Sequence, residues 1–343
     1  MKAVQLIQIG QPLESRELDI PEITDGDVLV AIKAAGICHT DTRYRSSTTA
    51  VLELPRTLGH EIAGIVEKTG AHVDNVHEGD RVCLHYLVTC GTCRHCKAGR
   101  EQFCLTGEML GNSRNGGYAE YVSVPAENAF LLPDDIPFEH GAIMMCSSAT
   151  SYHALKKARL QEGESVAIFG VGGLGMAAIQ LARSFGASEV YAIDINASKL
   201  TLAEQFGAIP IDASKKDPII ELNRLTNGEG VDVALELIGL TKTAEQAIES
   251  LALFGRAALV GLNDNPVELY SYKNLISKEA EIIGVSDHLT EEFPHLIELV
   301  RNGSLDLSPT LTQKIQLSDK EINNVLDSLQ RFDGENIRSV ITL

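Results

Sequence analysis

The stretch that decides the fold is residues 165–187, SVAIFGVGGLGMAAIQLARSFGA. A short apolar run enters a glycine-rich turn, and a stretch with helical periodicity follows and ends at glycine. This order predicts a buried strand, a tight turn and a helix. The turn, Gly170-Val171-Gly172-Gly173-Leu174-Gly175, fits the pattern G-x-G-x-x-G. There the first glycine allows the turn, the second lets the backbone approach a pyrophosphate, and the third lets the helix pack on the strand.

The next predicted strand, EVYAIDI, supports a dinucleotide site. Its Asp194 lies about 20 residues after the last glycine, where a carboxylate can accept hydrogen bonds from a ribose diol. The same carboxylate would repel a 2′-phosphate, so the sequence favours NAD over NADP. A turn that serves only packing is the alternative, and the strand–turn–helix context argues against it.

The alternation of strands and helices continues beyond this unit. Helix, strand, helix and strand are predicted in ASKLTLAEQFGA, VDVALELI, TKTAEQAIESLALFG and RAALVGL. This rhythm indicates a parallel sheet with helices on both faces. Residues 1–150 instead carry short β-branched runs between Gly, Asp and Pro, which predicts a mostly β domain. After about Asp287 we expect two helices and a final strand, SVITL, whose domain the periodicity does not assign.

Charge and hydropathy limit the partners. The 343 residues carry 29 basic and 47 acidic side chains, a net charge of −18, which disfavours nucleic acid and acidic membranes. The start, MKAVQLIQIGQPLESRE, has no sustained apolar run, and glycines interrupt the longest apolar stretch. We therefore expect a cytoplasmic protein with no membrane partner. Thiols stay reduced in that compartment, which favours metal sites over disulfides.

Four of the seven cysteines lie in residues 89–104, TCGTCRHCKAGREQFC. Cys90, Cys93, Cys96 and Cys104 supply the four thiolates of a tetrahedral zinc site. Such a site has no open position for substrate, so it would stabilise a loop and perform no chemistry. An iron–sulfur cluster and a redox disulfide are the alternatives, and the usual iron–sulfur spacings differ from this one.

Candidate catalytic residues lie outside this loop. They are Cys38 in GICHTD, His60 and Glu61 in LGHEIAG, and Cys146 in CSSATSYHAL. Each taken alone has a structural explanation as a buried side chain. Spacing along the chain does not show that they converge.

The motifs in their order resemble the zinc-dependent alcohol dehydrogenases of the medium-chain dehydrogenase/reductase superfamily. The resemblance covers essentially the whole chain and rests on GICHTD, LGHEIAG, CGTCRHCKAGREQFC, GGYAEYV, CSSATSYHAL, GVGGLG, VGL and IRSVITL. It implies an α/β fold with a GroES-like catalytic domain at residues 1–150 and 287–343. A Rossmann domain that binds NAD is expected at residues 151–286.

The resemblance also implies roles for single residues. The catalytic zinc would be held by Cys38, His60 and Cys146, with Glu61 able to replace water on the metal. Asp41 would orient His60, and Thr40 would hydrogen-bond the substrate oxygen. Contacts to the cofactor are expected from His39, Thr150, Lys199, Gly261, Leu262 and Arg338. The substrate pocket would include Val51, Tyr86, Leu87 and Met109.

Arg43 departs from the pattern. Many relatives have a histidine there that passes the alcohol proton to solvent, whereas arginine does not deprotonate in proteins. A guanidinium suits phosphate, so we predict that Arg43 holds the cofactor and that the proton leaves through Thr40, ribose and water.

The predicted function is reversible hydride transfer from a primary or secondary alcohol to NAD, with two zinc ions per chain. We expect a homotetramer or a dimer that acts on a small alcohol or carbonyl compound. The alternatives are a polyol or threonine dehydrogenase, a zinc-free enone or quinone reductase, and a catalytically idle NAD-binding protein. Polyol relatives often use glutamate where this chain has Cys146, and zinc-free relatives lack the ligands.

Overall fold

The computed structural model describes residues 1–46, 53–331 and 335–343. They form two compact units. The first unit contains Met1–Cys146, Leu289–Arg301 and Thr310–Leu343, and the second contains Ser147–His288 and Asn302–Pro309. Within these described ranges, no helix combines the length and the apolar character that a bilayer span requires.

Strands dominate the first unit, and strands and helices alternate in the second. The strands are β1 (Lys2–Leu6), β2 (Glu14–Glu17), β3 (Asp27–Ile37), β4 (Arg56–Thr57), β5 (Glu61–Thr69), β6 (Arg81–Leu84), β7 (Leu87–Val88), β8 (Glu108–Met109), β9 (Tyr121–Pro125), β10 (Ala129–Leu131), β11 (Ser165–Phe169), β12 (Glu189–Asp194), β13 (Ile209–Asp212), β14 (Val231–Glu236), β15 (Leu251–Leu259), β16 (Glu281–Gly284), β17 (Leu311–Gln316) and β18 (Arg338–Thr342). The helices are α1 (His39–Ser46), α2 (Phe138–Ile143), α3 (Ala149–Lys157), α4 (Gly173–Ser184), α5 (Ala197–Gln205), α6 (Pro218–Leu225), α7 (Thr241–Glu249), α8 (Phe293–Arg301) and α9 (Asp319–Arg331).

The largest sheet of the first unit has the order β10-β6-β5-β3-β18-β17, with β9 also paired to β3. Its central strand, β3, lies between β5 and the C-terminal strand β18, both antiparallel to it. Gly36 is opposite Glu61 on one side and Val340 on the other. A Cβ at Gly36 would lie 1.9 Å from a Glu61 carboxylate oxygen, so only glycine leaves room for that side chain. This pairing brings the end of β3, the start of β5 and the start of β18 together.

The second unit contains a six-stranded sheet of order β13-β12-β11-β14-β15-β16, in which every pair is parallel. Its core includes Phe169, Tyr191 and Ile193, which are almost completely buried. The strand order reverses between β11 and β14, because β12 lies on one side of β11 and β14 on the other. The predicted nucleotide turn leaves β11 at this switch point, where parallel α/β sheets bind their ligands.

One predicted helix is too long. The apolar periodicity of TKTAEQAIESLALFG predicts a helix through Gly255, but α7 ends at Glu249 and β15 begins at Leu251. Leu251 is buried and pairs with Val231 of β14, so sheet pairing overrides the local helical pattern. A short apolar run does not distinguish a buried strand from a buried helix segment.

Candidate active site

Four buried side chains of the first unit converge: Cys38, His60, Glu61 and Cys146. One sulfur, nitrogen or carboxylate oxygen from each lies within 4.8 Å of the others. Cys38 follows β3, His60 and Glu61 stand at the start of β5, and Cys146 lies in a π-helical turn between α2 and α3. Two thiols, an imidazole and a carboxylate are donors that suit zinc.

Asp41, on α1, lies next to Cys38 and His60 of this group. Its Oδ1 is 3.4 Å from His60 Nδ1. Its Oδ2 accepts hydrogen bonds from the Cys38 backbone N–H at 3.0 Å and from the Tyr118 hydroxyl at 2.7 Å. Sequence reasoning named Asp41 and missed Tyr118. The available signal was a tyrosine in the apolar segment GGYAEYV, since a buried tyrosine hydroxyl usually needs a partner.

Glu61 pairs with Arg338, the first residue of β18. Arg338 Nη2 donates to Glu61 Oε2, and both side chains are buried. Burial raises the pKa of Glu61 to about 7, although the Arg338 charge opposes the rise. Glu61 Oε1 is buried and accepts no hydrogen bond from the described residues. The group thus contains a free buried acceptor oxygen, as a cation site requires. The predicted contact of Arg338 with the cofactor stays a prediction.

The two thiols of the group differ in acidity. The pKa of Cys38 lies well below its usual value, chiefly because the Cys146 thiol donates a hydrogen bond to it, with His60 and Arg338 adding to the effect against burial. The same bond raises the pKa of Cys146. A thiolate at Cys38 is the form that binds metals.

The four cysteines at 90, 93, 96 and 104 form a second group. Their sulfurs lie within 4.8 Å of one another, with Cys96 Sγ 3.9 Å from Cys90 Sγ and 3.5 Å from Cys93 Sγ. These separations approach the edge of about 3.8 Å expected for sulfurs around a zinc ion at about 2.3 Å. Backbone N–H groups of Cys93 and Cys90 donate to sulfurs of Cys90 and Cys104, each at 3.3 Å. The donors fit a closed zinc site, and the cysteines are not paired as disulfides.

The glycine turn of the second unit is shaped for an anion. Gly170 has φ +95°, which favours glycine, and a Cβ at Gly175 would lie 2.0 Å from Gly170 O. A Cβ at Gly172 would meet no atom within 4 Å, so this position is open to a ligand. The turn leads into α4, whose N-terminal N–H groups favour negative charge.

Asp194 closes the turn at the carboxyl end of β12. Its Oδ2 accepts from the Val171 N–H and its Oδ1 from the Asn196 N–H, both at 2.9 Å. Lys199 follows in the first turn of α5, where its backbone N–H donates to the Asn196 side chain.

The other predicted cofactor residues of the second unit lie on α3 and after β15. Thr150 Oγ1 is 3.4 Å from His288 Nδ1. Leu262 follows Gly261, whose N–H donates to Glu236 O at 3.0 Å. Sequence reasoning missed Glu236, a buried carboxylate that accepts from the N–H groups of residues 238 and 239.

The remaining predicted residues that the structure describes, two for the cofactor (His39 and Arg43) and the others for the substrate, lie on α1 and in or next to the paired strands β7 and β8. His39, Thr40 and Arg43 lie on α1, with Thr40 Oγ1 3.6 Å from Cys38 Sγ. The Tyr86 ring is 5.1 Å from the His60 ring between centroids, and Leu87 pairs with Met109. Val51 lies outside the described residues.

Comparison with known proteins identifies the family. A model described as alcohol dehydrogenase GroES-like domain matches residues 24–134, and one described as zinc-binding dehydrogenase matches residues 173–302. The chain is 33% identical over 338 residues to an NAD-dependent alcohol dehydrogenase of Sulfolobus acidocaldarius, covering 96% of both chains. The chain belongs to the zinc-dependent alcohol dehydrogenases. They form part of the medium-chain dehydrogenase/reductase superfamily.

Two further comparisons support this assignment. The alcohol dehydrogenase structure from the archaeon Aeropyrum pernix superimposes with a TM-score of 0.91 at 34% identity, covering all of both chains. An L-threonine 3-dehydrogenase of Bacillus velezensis is 34% identical over 326 residues, or 94% of both chains. The predicted fold class and the activity class of this dehydrogenase are therefore confirmed.

Proposed function

We propose that this zinc-dependent dehydrogenase oxidises a primary or secondary alcohol to an aldehyde or ketone, reversibly, with NAD as the hydride acceptor. The observation that carries the proposal is the convergence of Cys38, His60, Glu61 and Cys146 within 4.8 Å. The chain's relatives named as NAD-dependent alcohol dehydrogenases support it. An idle NAD-binding protein would not need a second, buried set of metal donors.

Cys38, His60 and Cys146 would hold the catalytic zinc, with Glu61 available as a further ligand. Zinc, when bound, supplies a Lewis acid that favours ionisation of the alcohol, and NAD accepts the hydride. Asp41, whose Oδ1 lies 3.4 Å from His60 Nδ1, would favour the proton on that nitrogen, which leaves Nε2 to bind the metal. The hydroxyl of Thr40 would accept a hydrogen bond from the alcohol and pass its proton towards solvent, because Arg43 cannot accept it.

The cysteines at 90, 93, 96 and 104 hold the second zinc, which stabilises the loop. Their spacing and the distances between their sulfurs support this role.

The cofactor lies along the glycine turn in this proposal. The N–H groups of residues 172–175 would bind the pyrophosphate, since those of Gly170 and Val171 already donate to Ile193 O and Asp194 Oδ2. Asp194 would bind the adenosine ribose together with Lys199. Thr150 and the backbone of 261–262 contact the nicotinamide, while His39, Arg43 and Arg338 approach the pyrophosphate. The open space at Gly172 supports the placement of the pyrophosphate.

We assign catalysis to residues 1–150 and 287–343 and NAD binding to residues 151–286. Both cysteine-containing groups belong to the first unit, and the glycine turn belongs to the second, which supports the division. We further propose a cytoplasmic homo-oligomer, a dimer or tetramer. Tyr270, Tyr272 and Ile276 favour this assembly, since they are more than half exposed and precede the edge strand β16.

Threonine dehydrogenase is the second candidate, because the L-threonine 3-dehydrogenase of Bacillus velezensis shares 34% of residues with this chain. A panel of primary, secondary and aromatic alcohols, L-threonine and sorbitol, each with NAD and with NADP, separates the candidates. Turnover of simple alcohols with NAD, exceeding that of threonine and sorbitol, supports the proposal. Turnover confined to L-threonine would replace it with the second candidate.

A variant tests the metal chemistry directly. His60→Ala removes the imidazole donor, so we expect zinc to fall from two ions per chain to one and turnover to fall by at least about 10³-fold. NADH binding should remain, because the glycine turn belongs to the other unit. The fluorescence of NADH itself measures this binding, and no tryptophan emission adds to the signal, because the chain has no tryptophan. Wild-type turnover after verified loss of that zinc would refute the mechanism.

A further inference from the structure

We propose that Tyr118 is a positioning residue for the metal ligand His60 and that it acts through Asp41. The inference deepens the proposed function and rests on its assignment of the catalytic zinc to Cys38, His60 and Cys146. It assigns a role to the tyrosine of GGYAEYV.

The contacts of Asp41 divide between its two oxygens. Oδ2 accepts from the Tyr118 hydroxyl at 2.7 Å and from the Cys38 N–H at 3.0 Å, and Oδ1 lies 3.4 Å from His60 Nδ1. Two donors on one oxygen fix the rotation of the carboxylate, and this keeps the other oxygen 3.4 Å from the imidazole nitrogen, although these two atoms do not meet hydrogen-bond geometry. Of the two donors to Oδ2, only the Tyr118 hydroxyl belongs to a side chain, so a substitution can remove it without altering the backbone.

Tyr118 also contacts the segment that carries His60. Its backbone N–H donates to Leu58 O at 3.0 Å. Its ring covers Gly59, which has φ +89°, and a Cβ at Gly59 would lie 2.5 Å from Tyr118 Cδ1. Tyr118 is fully buried, and its backbone oxygen accepts from the Val4 N–H at 2.8 Å. The tyrosine is thus fixed by its own backbone while it holds both Asp41 and the turn before His60.

Tyr118→Phe removes the hydroxyl and keeps the ring, so the packing on Gly59 remains. Replacing a group that orients a ligand histidine typically costs 10–100-fold in metal affinity. The Tyr118 hydroxyl acts on His60 only through Asp41, so it is one hydrogen bond further from the metal. We expect the loss of this single hydrogen bond to reduce zinc affinity less than that. We therefore expect the full-length Tyr118→Phe enzyme to bind its catalytic zinc about three- to tenfold more weakly, in competition with a chromogenic chelator.

Tyr121→Phe is the matched control, because Tyr121 lies on β9 of the same motif outside this chain of contacts. We expect it to keep the wild-type zinc affinity. The four-cysteine zinc serves as an internal reference, since its affinity should be the same in every variant. Cobalt in the catalytic site adds a readout independent of activity, and we expect its absorption bands to shift in Tyr118→Phe only.

A double variant tests the route through Asp41. If Tyr118 acts through that carboxylate, adding Tyr118→Phe to Asp41→Asn changes zinc affinity less than twofold, whereas independent effects would multiply. A Tyr118→Phe enzyme within twofold of wild type, an equal loss in Tyr121→Phe, or multiplying effects would each overturn the inference. A wild-type enzyme with only the four-cysteine zinc would instead overturn the proposed function on which the inference rests.

Discussion

Asp194 determines which cofactor we expect the enzyme to prefer. Its carboxylate stands at the end of β12 and would repel a 2′-phosphate. Asp194→Gly should therefore weaken NAD and raise the ratio of kcat/KM for NADP to that for NAD by at least about tenfold, roughly 1.4 kcal/mol of differential binding. Steady-state kinetics with both cofactors measures the ratio.

Glu189, at the opposite end of the same strand, provides the control for this change. Glu189→Gln removes a negative charge far from the turn and should leave the ratio unchanged. A wild-type enzyme that already prefers NADP would show that the cofactor assignment is wrong.

Arg43 tests the route of the alcohol proton. If its guanidinium binds cofactor phosphate, Arg43→Ala should raise the NAD KM by about tenfold or more and change kcat little at saturating NAD. Arg43→Lys should recover part of the affinity, since it keeps the charge but loses the two-pronged contact. A large drop in saturated kcat with unchanged NAD KM would instead assign Arg43 to proton transfer.

Single residues of the metal group could be named from motifs, but their contacts could not. Cys38 and Cys146 are far apart in the sequence, and only the folded chain brings their sulfurs together. The pair Glu61–Arg338 depends on the register by which β18 and β5 flank β3. Pairing between such distant strands leaves no periodic signal in either one, so the sequence alone does not reveal the ion pair.

Among the elements, the loop that carries the four cysteines has little regular secondary structure. It contains only two short 3₁₀ turns, Cys96–Ala98 and Glu101–Phe103, and exposes Leu105. Binding of metal therefore supplies much of the order of this loop. The alternation of strand and helix after residue 163 was easier to predict, because each element buries its own periodic apolar face.

Cys93→Ser tests the structural role of this loop. It should lose about one zinc per chain and make the loop more sensitive to limited proteolysis, while the remaining folded enzyme keeps measurable turnover. Metal analysis together with activity per folded chain makes the measurement. The control is Cys83→Ser, at a buried thiol of β6 outside both metal groups, which should keep two zincs. A folded Cys93→Ser enzyme that retains both zincs but has no turnover would contradict the structural role.

Considered at the level of the entire chain, the two units differ in how far the sequence predicts them. Most of the second follows from alternating periodicity, but the boundary between α7 and β15 is wrong, and β13, α6 and β16 were not predicted. The first has short strands whose order in the sheet, β10-β6-β5-β3-β18-β17, departs from their order in the chain. Local pattern indicates that such strands exist but not which of them pair. The resemblance to a family was needed to return the C-terminal segment to the first domain, and only the structure places its strand beside β3.

The last prediction concerns assembly. β16 is the last strand of the second unit's sheet, and within the described residues no other strand pairs with its outer side. The preceding segment exposes 72% of Tyr272 and 64% of Ile276. A second copy that pairs along this edge would cover both side chains, and a stable interface of this kind buries about 1,200–2,000 Å² or more. We therefore expect wild-type enzyme to have the mass of a dimer or tetramer in light scattering.

Tyr272→Glu combined with Ile276→Glu should lower that mass, because charge would be buried unpaired at the contact. Ile220→Glu is the matched control, since Ile220 is 71% exposed on α6, which packs near β13 at the opposite edge of the sheet. A monomeric wild-type enzyme would refute the assembly, and an unchanged mass in the double variant would place the interface away from β16.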